Sequence, residues 1–215
     1  SSWQRLGLSW SLAIATGRTV LQLFAVGFFL AAVFEWRNPW AVLAALVIML
    51  TIAALVARNR ISKKIARLLP LVWGCLLTST VLTLIYTSLL VIRPETWYEP
   101  RYVIPLAGIV LGNAMNAASI AGDRLVSTLQ NSRLEIETHL SLGATPDQAI
   151  AQYRREAVKA GLIPTLNSMM VVGIVTLPGI ITGQLLSGVN PLNAALYQML
   201  IMFMLAFSTL LTALL

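Results

Sequence analysis

The sequence predicts an all-α, polytopic membrane protein. Of its 215 residues, 58% are hydrophobic and only 11% are charged, and its mean hydropathy is +0.80, whereas soluble domains carry about 25% charged residues. The apolar runs are about 20 residues long, as helices that cross a bilayer require, and transmembrane strands would need only about 10 residues of alternating polarity. We therefore expect membrane-spanning helices within one domain that covers residues 1–215.

Six spans are expected in order along the chain. They cover residues 19–36, 39–57, 68–92, 103–122, 162–187 and 193–215. Before the first span, apolar residues recur at helical spacing among polar ones, which predicts a short helix lying in the membrane interface. These residues are Trp3, Leu6, Trp10 and Ala13.

The basic residues predict how the spans are oriented. Residues 58–67 contain five cations and no acid, and such loops stay in the cytoplasm. Alternation then places residues 1–18 and 123–161 inside as well, and the three inner segments hold twelve of the fifteen Lys and Arg residues. The net charge of +7 therefore reflects membrane topology and does not indicate a nucleic-acid partner.

The fourth and fifth predicted spans contain polar and helix-breaking residues. Pro178 before Gly179 should kink or unwind the fifth span, and free carbonyls within a membrane are tolerated only against protein or a water-filled path. A translocation pathway is therefore expected between these two spans, while the first three spans resemble a lipid-facing scaffold. The candidate residues that would line the pathway are Asn113, Met115, Asn116, Met169, Met170, Thr176 and Gln184.

Ordinary packing is the alternative interpretation of these lining residues. Methionines often fill gaps between membrane helices, and amide side chains often form hydrogen bonds between helices. Iron(II) prefers imidazole and carboxylate ligands, and a phosphate-bearing cargo would favour arginine. No imidazole, carboxylate or arginine is expected within the pathway, so no metal ligand can be assigned.

A polar segment at residues 137–148 interrupts the apolar pattern. Gly143 is expected to close one helix in a left-handed cap. Thr145 is expected to cap the next helix, with Pro146 at its first position and Gln148 completing a capping box. The flanking helices, predicted at 124–142 and 146–160, carry balanced charge. Residues 123–161 therefore favour docking to a protein over a basic patch for anionic lipid, and a solvated loop without a partner stays open as the alternative.

Catalytic and metal-binding motifs are absent from the sequence. It contains no Walker A loop, zincin helix, nucleophile elbow or dinucleotide fingerprint. His139 is the only histidine and Cys75 the only cysteine, so a His/Cys metal cluster within one chain is excluded. None of the eight acids lies deep in a predicted span, whereas a proton-coupled carrier usually needs such a carboxylate. The missing carboxylate counts against an ion-coupled carrier, so energy for any transport would have to enter from outside the membrane, and a membrane scaffold without cargo stays open as an alternative.

The spacing from Glu137 to Gly143 resembles the EAA loop of bacterial ABC importer permeases. In that loop a glycine follows a glutamate by six residues and Ala-Ser-Pro comes next. Here Ala144, Thr145 and Pro146 come next, but Thr138 and His139 replace the two alanines that usually follow the glutamate. A closer resemblance, to the FetB-type ABC permeases described as iron exporters and their plant relatives in aluminium tolerance, extends over most of the chain. It is carried by residues 103–108, 112–115, 140–146, 162–165, 177–179, 188–191 and 197–199.

The resemblance implies a transport subunit rather than an enzyme, located in a bacterial inner membrane. A separate ATPase would hold ATP and Mg, and each transporter would contain two permeases and two ATPases. The expected cargo is iron or a related metal, and a nucleotide sugar is the alternative. The family also implies a further span upstream of Ser1 and a basic tail beyond Leu215.

The segment that would contact the ATPase lies at the predicted cytoplasmic turn. The expected coupling residues are Glu137, His139, Leu142, Gly143, Ala144, Thr145, Pro146 and Asp147. On physical grounds, movement of this turn would reach the fifth span through hinge residues. The expected hinges are Gly161, Pro164, Pro178 and Gly179.

Overall fold

The computed structural model describes residues 9–36, 38–63, 65, 67–88 and 99–215. These residues form helices joined by short turns. The helices are α1 (Ser9–Trp36), α2 (Pro39–Ile61), α3 (Leu68–Thr87), α4 (Pro100–Asn131), α5 (Arg133–Ser141), α6 (Pro146–Val171), α7 (Gly179–Leu186) and α8 (Pro191–Leu214).

Five of the described helices are long and apolar enough to cross a membrane. They are α1, α2, α3, α4 and α8. Asn38, Thr145 and Asn190 cap α2, α6 and α8, and in each case the side-chain oxygen accepts a backbone N–H in the first turn, as polar N-caps do. The prediction of a polytopic helical membrane protein is confirmed.

The predicted fifth span is not a single helix. α6 begins in the predicted cytoplasmic segment and ends at Val171, residues 172–178 form turns, and α7 starts at Gly179. Pro178 precedes α7 as its N-cap residue, because proline lacks the N–H that a continuing helix would need. The expected unwinding before Gly179 is confirmed, but the break begins already at residue 172, so no single helix covers the predicted span at residues 162–187.

Two other predicted boundaries are also wrong. The helix expected at residues 124–142 is divided, because α4 ends at Asn131 and the backbone N–H of Ser132 closes it by donating to the Thr128 carbonyl. α1 runs without a break from Ser9, so Trp10 and Ala13 belong to the first span rather than to a separate interfacial helix. Residues 1–8, with Trp3 and Leu6, lie outside the described residues, and so do residues 89–98, which include the end of the third predicted span at residue 92.

α4 is the central helix, and it packs against α2, α3, α6 and α8. Alanines form much of the contact between α2 and α4, because Ala54, Ala57 and Ala114 are completely buried. Lipid tails are as apolar as leucine, so membrane helices associate through the close approach that small side chains permit.

The first three spans differ in how much of their surface they bury. α1 touches α2 and α4 near Val33, and much of its length is exposed, including Phe24 and Phe28. This arrangement suits a lipid-facing helix. α2 and α3, in contrast, contribute Leu50 and Leu76 to the same buried cluster as Leu111 of α4. The expected lipid-facing scaffold therefore describes α1 along most of its length, whereas α2 and α3 leave apolar side chains such as Ile52 and Leu82 exposed only on the faces turned away from this cluster.

Candidate coupling corner and translocation track

A turn between α5 and α6 forms the coupling corner, defined here as residues 137–148. α5 ends at Ser141, and Gly143 follows with a φ of +93°, a left-handed conformation that glycine adopts without steric cost. The N–H of Gly143 donates to the Leu140 carbonyl at 3.0 Å, and the N–H of Ala144 donates to the His139 carbonyl at 3.0 Å. These bonds satisfy carbonyls at the end of α5, so the predicted left-handed cap is confirmed.

The turn leads into α6 through a capping box. Thr145 Oγ1 accepts the N–H of Gln148 at 3.3 Å, and Gln148 Oε1 accepts the N–H of Thr145 at 2.9 Å. Pro146 occupies the start of α6 and Asp147 lies in its first turn, where the helix dipole favours a negative charge. The predicted capping box is confirmed, and it fixes where the chain turns.

The corner and the helix before it present apolar side chains to the surroundings. Leu142 is 82% exposed and Leu134 is 79% exposed, and none of the α5 residues is buried. Burying a leucine stabilises by about 1.5–3 kcal/mol, so these two side chains would gain from being covered by another surface. Sequence reasoning named Leu142 but missed Leu134, and only its exposure marks it.

The charged residues of the corner have weak partners within the chain. Glu137 Oε1 accepts from Arg133 Nε at 2.7 Å, and Asp147 lies 3.9 Å from Arg154. All four side chains are largely exposed, and exposed ion pairs contribute only about 0–1 kcal/mol. Glu137 and Asp147 can therefore exchange these partners for groups on another protein at little cost.

The predicted hinge residues occupy two different settings. Gly161 and Pro164 lie inside α6, which continues to Val171. A Cβ atom on Gly161 would lie 3.0 Å from both the Ala117 carbonyl oxygen and Ala121 Cβ, so α6 and α4 are in direct contact there. Pro178 and Gly179 stand where the turns of residues 172–178 give way to α7. The hinge roles stay predictions.

Two of the candidate pathway residues meet polar groups of α6 in one small cavity. Asn113 and Asn116 of α4 line it with Thr165 and Ser168 of α6, and its volume is about 80 Å³. These four side chains are here called the polar track. Asn116 and Ser168 are exposed at the surface of the chain, so the track is open on one side.

The other candidate pathway residues do not join the track. Met115 packs against the cluster between α2 and α3, and Met170 is 75% exposed. Thr176 lies in the turns after α6, and Gln184 lies in α7. Met169 lines a separate cavity of about 280 Å³ beside residues 172–178.

Gln198 lines that second cavity and was missed by sequence reasoning. It lies in α8, is only 5% exposed, and its Oε1 has no hydrogen-bond partner within the described part of the chain. Met199 and Met202 lie beside it on the cavity wall. A lone glutamine in an apolar run was the available signal, because a buried amide without a partner is costly.

Arg60 reaches the polar track, although its sequence position suggested a cytoplasmic loop. α2 continues to Ile61 instead of ending at residue 57, which carries Arg60 to the side of α4. There Arg60 Nη1 donates to Asn116 Oδ1 at 3.0 Å. Arg60 also lines a surface cavity of about 360 Å³ with Asp123 and Arg124. An arginine therefore contacts one of the candidate pathway residues, although the sequence suggested none there.

Metal-binding residues stay unassigned. No three His, Cys, Asp or Glu side chains come together within the residues that the structure describes. The polar groups at the two cavities are amides and hydroxyls, with thioethers beside Gln198. Thioether ligands suit soft metals, whereas imidazole and carboxylate are typical iron ligands.

The comparisons with known proteins decide the family. The model of the uncharacterised protein family UPF0014 matches residues 1–215. The chain belongs to this family. A UPF0014 membrane protein of Synechocystis is 58% identical to it over 202 residues, which cover 94% of this chain and 78% of that protein. No solved structure matches the chain.

Two other UPF0014 relatives carry more descriptive names. The probable iron export permease protein FetB of Escherichia coli is 33% identical over 94% of this chain and 76% of its own length. The protein ALUMINUM SENSITIVE 3 of Arabidopsis is 33% identical over 94% of this chain and 72% of its own length. The predicted resemblance is confirmed, and this UPF0014 member is a multi-pass membrane protein, consistent with an inner-membrane location.

Proposed function

We propose that this UPF0014 protein is the membrane-spanning permease subunit of an ATP-driven ABC transporter. The observation that carries the proposal is the coupling corner. It combines a rigid turn, exposed leucines and weakly paired charges, as a docking surface for a separate protein would. The absence of acids deep within the predicted spans supports an energy source outside the membrane.

The polar track supports a second copy of the same chain as a partner. Asn116, Asn167 and Ser168 are exposed on α4 and α6, and exposed amides and hydroxyls are unfavourable against lipid hydrocarbon. A second permease packed over this side would cover them and enclose a pathway between two tracks. The proposed assembly therefore contains two permeases and two ATPases.

Iron or a related metal ion is the first candidate cargo. The name of the E. coli relative supports it, and the open track offers oxygen atoms from Asn113, Asn116, Thr165 and Ser168. Two facing tracks would double this set of oxygen donors. The metal would be substrate, moved outward, and not a resident cofactor.

A phosphate-bearing cargo such as a nucleotide sugar is the second candidate. Arg60 beside Asn116 favours it, because a guanidinium recognises phosphate through charge-assisted hydrogen bonds and would repel a bare metal cation. Uptake assays in inside-out vesicles that contain both subunits separate the candidates. Accumulation of iron(II) favours the first, and accumulation of a nucleotide sugar favours the second.

Capture of the ATPase tests the proposal itself. The full chain, carrying an affinity tag, is co-expressed with a Walker-motif ATPase from the same organism and purified in mild detergent. We expect the ATPase to co-purify, and we expect Leu142→Asn to reduce its recovery at least fivefold, because an exposed leucine at an interface contributes on the order of 1–2 kcal/mol.

A matched control separates docking from general damage. Leu192→Asn replaces another exposed leucine, at the start of α8, on the opposite side of the membrane in the predicted topology. It should leave recovery of the ATPase unchanged. The proposal fails if the wild-type chain captures none of the Walker-motif ATPases of its organism, or if Leu142→Asn has no effect.

A further inference from the structure

α5 has little within the chain to hold it in place. It has nine residues, none of them buried. The helix is interrupted before it at Ser132, and Gly143 follows it in a left-handed conformation. A short helix with no buried side chain needs some other contact to keep a fixed direction.

Tyr153 supplies such a contact from α6. This residue is only 9% exposed, so the chain covers most of its ring. Its hydroxyl donates to Glu135 Oε2 in the first turn of α5 at 2.7 Å. This is the only side-chain hydrogen bond between α5 and α6 within the described part of the chain.

The same phenol also meets the break between α4 and α5. The hydrogen bond to Glu135 raises the pKa of Tyr153, and the nearby Ser132 side chain acts in the opposite direction. The phenol therefore lies beside both the start of α5 and the residue at which the chain leaves α4, which are 18 or more positions away along the chain.

Resting on the proposed function, we propose that Tyr153 is a positioning residue for coupling. It fixes α5 on α6, so that force applied to the coupling corner moves both helices together. α6 is continuous from Pro146 to Val171, so its movement reaches the turns at residues 172–178. Without the bond, α5 swings at Ser132 and Gly143, and the ATPase moves the corner without moving α6.

Three variants of the full chain test this role. Tyr153→Phe removes the hydroxyl and keeps the ring. Glu135→Ala removes the acceptor without touching the buried ring, whereas Glu135→Gln retains an oxygen that accepts the bond. Gln152→Ala is the matched control, because it removes an exposed hydrogen bond to Glu156 that lies within α6.

The first measurement is the distance between spin labels at Thr138 and Arg155, in a Cys75→Ala background, in lipid nanodiscs. The wild-type chain, Glu135→Gln and Gln152→Ala should give one narrow distance. With Tyr153→Phe or Glu135→Ala, the fraction of molecules that show a second, longer distance should rise about tenfold, as expected for loss of a hydrogen bond to a charged group. An unchanged narrow distance in both would overturn the proposal.

The second measurement is cargo moved per ATP hydrolysed, in vesicles with the ATPase. Tyr153→Phe and Glu135→Ala should lower this ratio about tenfold while ATPase recovery stays within about twofold of wild type. Glu135→Gln should restore it, which a merely structural loss would not allow. If wild type shows no coupled transport, the proposed function fails; if wild type is coupled and both variants match it, only the role of Tyr153 fails.

Discussion

The coupling corner and the polar track are held together in different ways. The corner depends on hydrogen bonds between residues at most five positions apart, such as those of Gly143 and the capping box of Thr145. The track depends on contacts between distant segments, since Arg60 and Asn116 are 56 positions apart. Single substitutions should therefore act locally at the corner, whereas the track should respond to any change in how α2, α4 and α6 pack.

Separating α4 from α6 would sharpen this contrast most. Gly161→Leu places a side chain against the Ala117 carbonyl and Ala121 Cβ, both 3.0 Å from the first added atom, and the backbone carbonyl cannot rotate away. We expect the free energy of unfolding to fall by about 1–3 kcal/mol or more, and the thermal unfolding midpoint in detergent measures it.

Gly17→Leu is the control for that substitution. Gly17 lies in the peripheral α1 with nothing within 4 Å of an added Cβ, so its unfolding midpoint should stay near that of the wild type. Equal midpoints for Gly161→Leu and Gly17→Leu would show that the contact between α4 and α6 does not hold the track together.

Removing the arginine beside the track should have a smaller and more selective effect. Arg60→Gln loses the charge while keeping a side chain that can donate to Asn116, so the fold should persist. If the cargo carries phosphate, uptake of a nucleotide sugar should fall about tenfold, as expected for loss of a charge-assisted hydrogen bond. If the cargo is a metal cation, its uptake should hold or rise.

Arg67→Gln provides the comparison for Arg60→Gln. Arg67 is an exposed cation before α3 and does not line the track or the cavity beside it. The Arg67→Gln substitution should leave uptake of either cargo unchanged. Equal effects of the two substitutions would mean that Arg60 acts through general surface charge and not through the track.

The sequence predicted the corner well because its signals are local. Gly143, Thr145 and Gln148 determine their own backbone hydrogen bonds within a few residues, and no tertiary contact is needed to recognise them. The spans were also largely predictable, since hydropathy identifies α2, α3, α4 and α8. Leu134 was missed because exposure depends on what the rest of the chain leaves uncovered.

The track was predicted only in part, because helix packing decides it. Asn113 and Asn116 share a face of α4, but their partners Thr165 and Ser168 come from α6. Arg60 was assigned to a loop because charge normally marks the end of a span, whereas the helix continues to Ile61. The break in the fifth span was predicted at Pro178 and Gly179, where proline marks it, but its start at residue 172 was not, because hydropathy does not report where the backbone unwinds.

The coupling ratio of Gly143→Pro tests the central claim most directly. Proline cannot adopt the φ of +93° at this position and would lose the N–H that bonds to Leu140. Gly188→Pro is the control, because Gly188 follows α7 with a φ of +81° and an equivalent bond to the Leu185 carbonyl.

The measurement is cargo moved per ATP hydrolysed, in vesicles containing the permease and its ATPase. We expect Gly143→Pro to lower this ratio at least tenfold while the helical content and ATP hydrolysis persist. Gly188→Pro should retain a larger share of the wild-type ratio of cargo moved per ATP than Gly143→Pro does. Coupled transport by Gly143→Pro at the wild-type ratio would contradict the assignment of the corner as the point where the ATPase drives the permease.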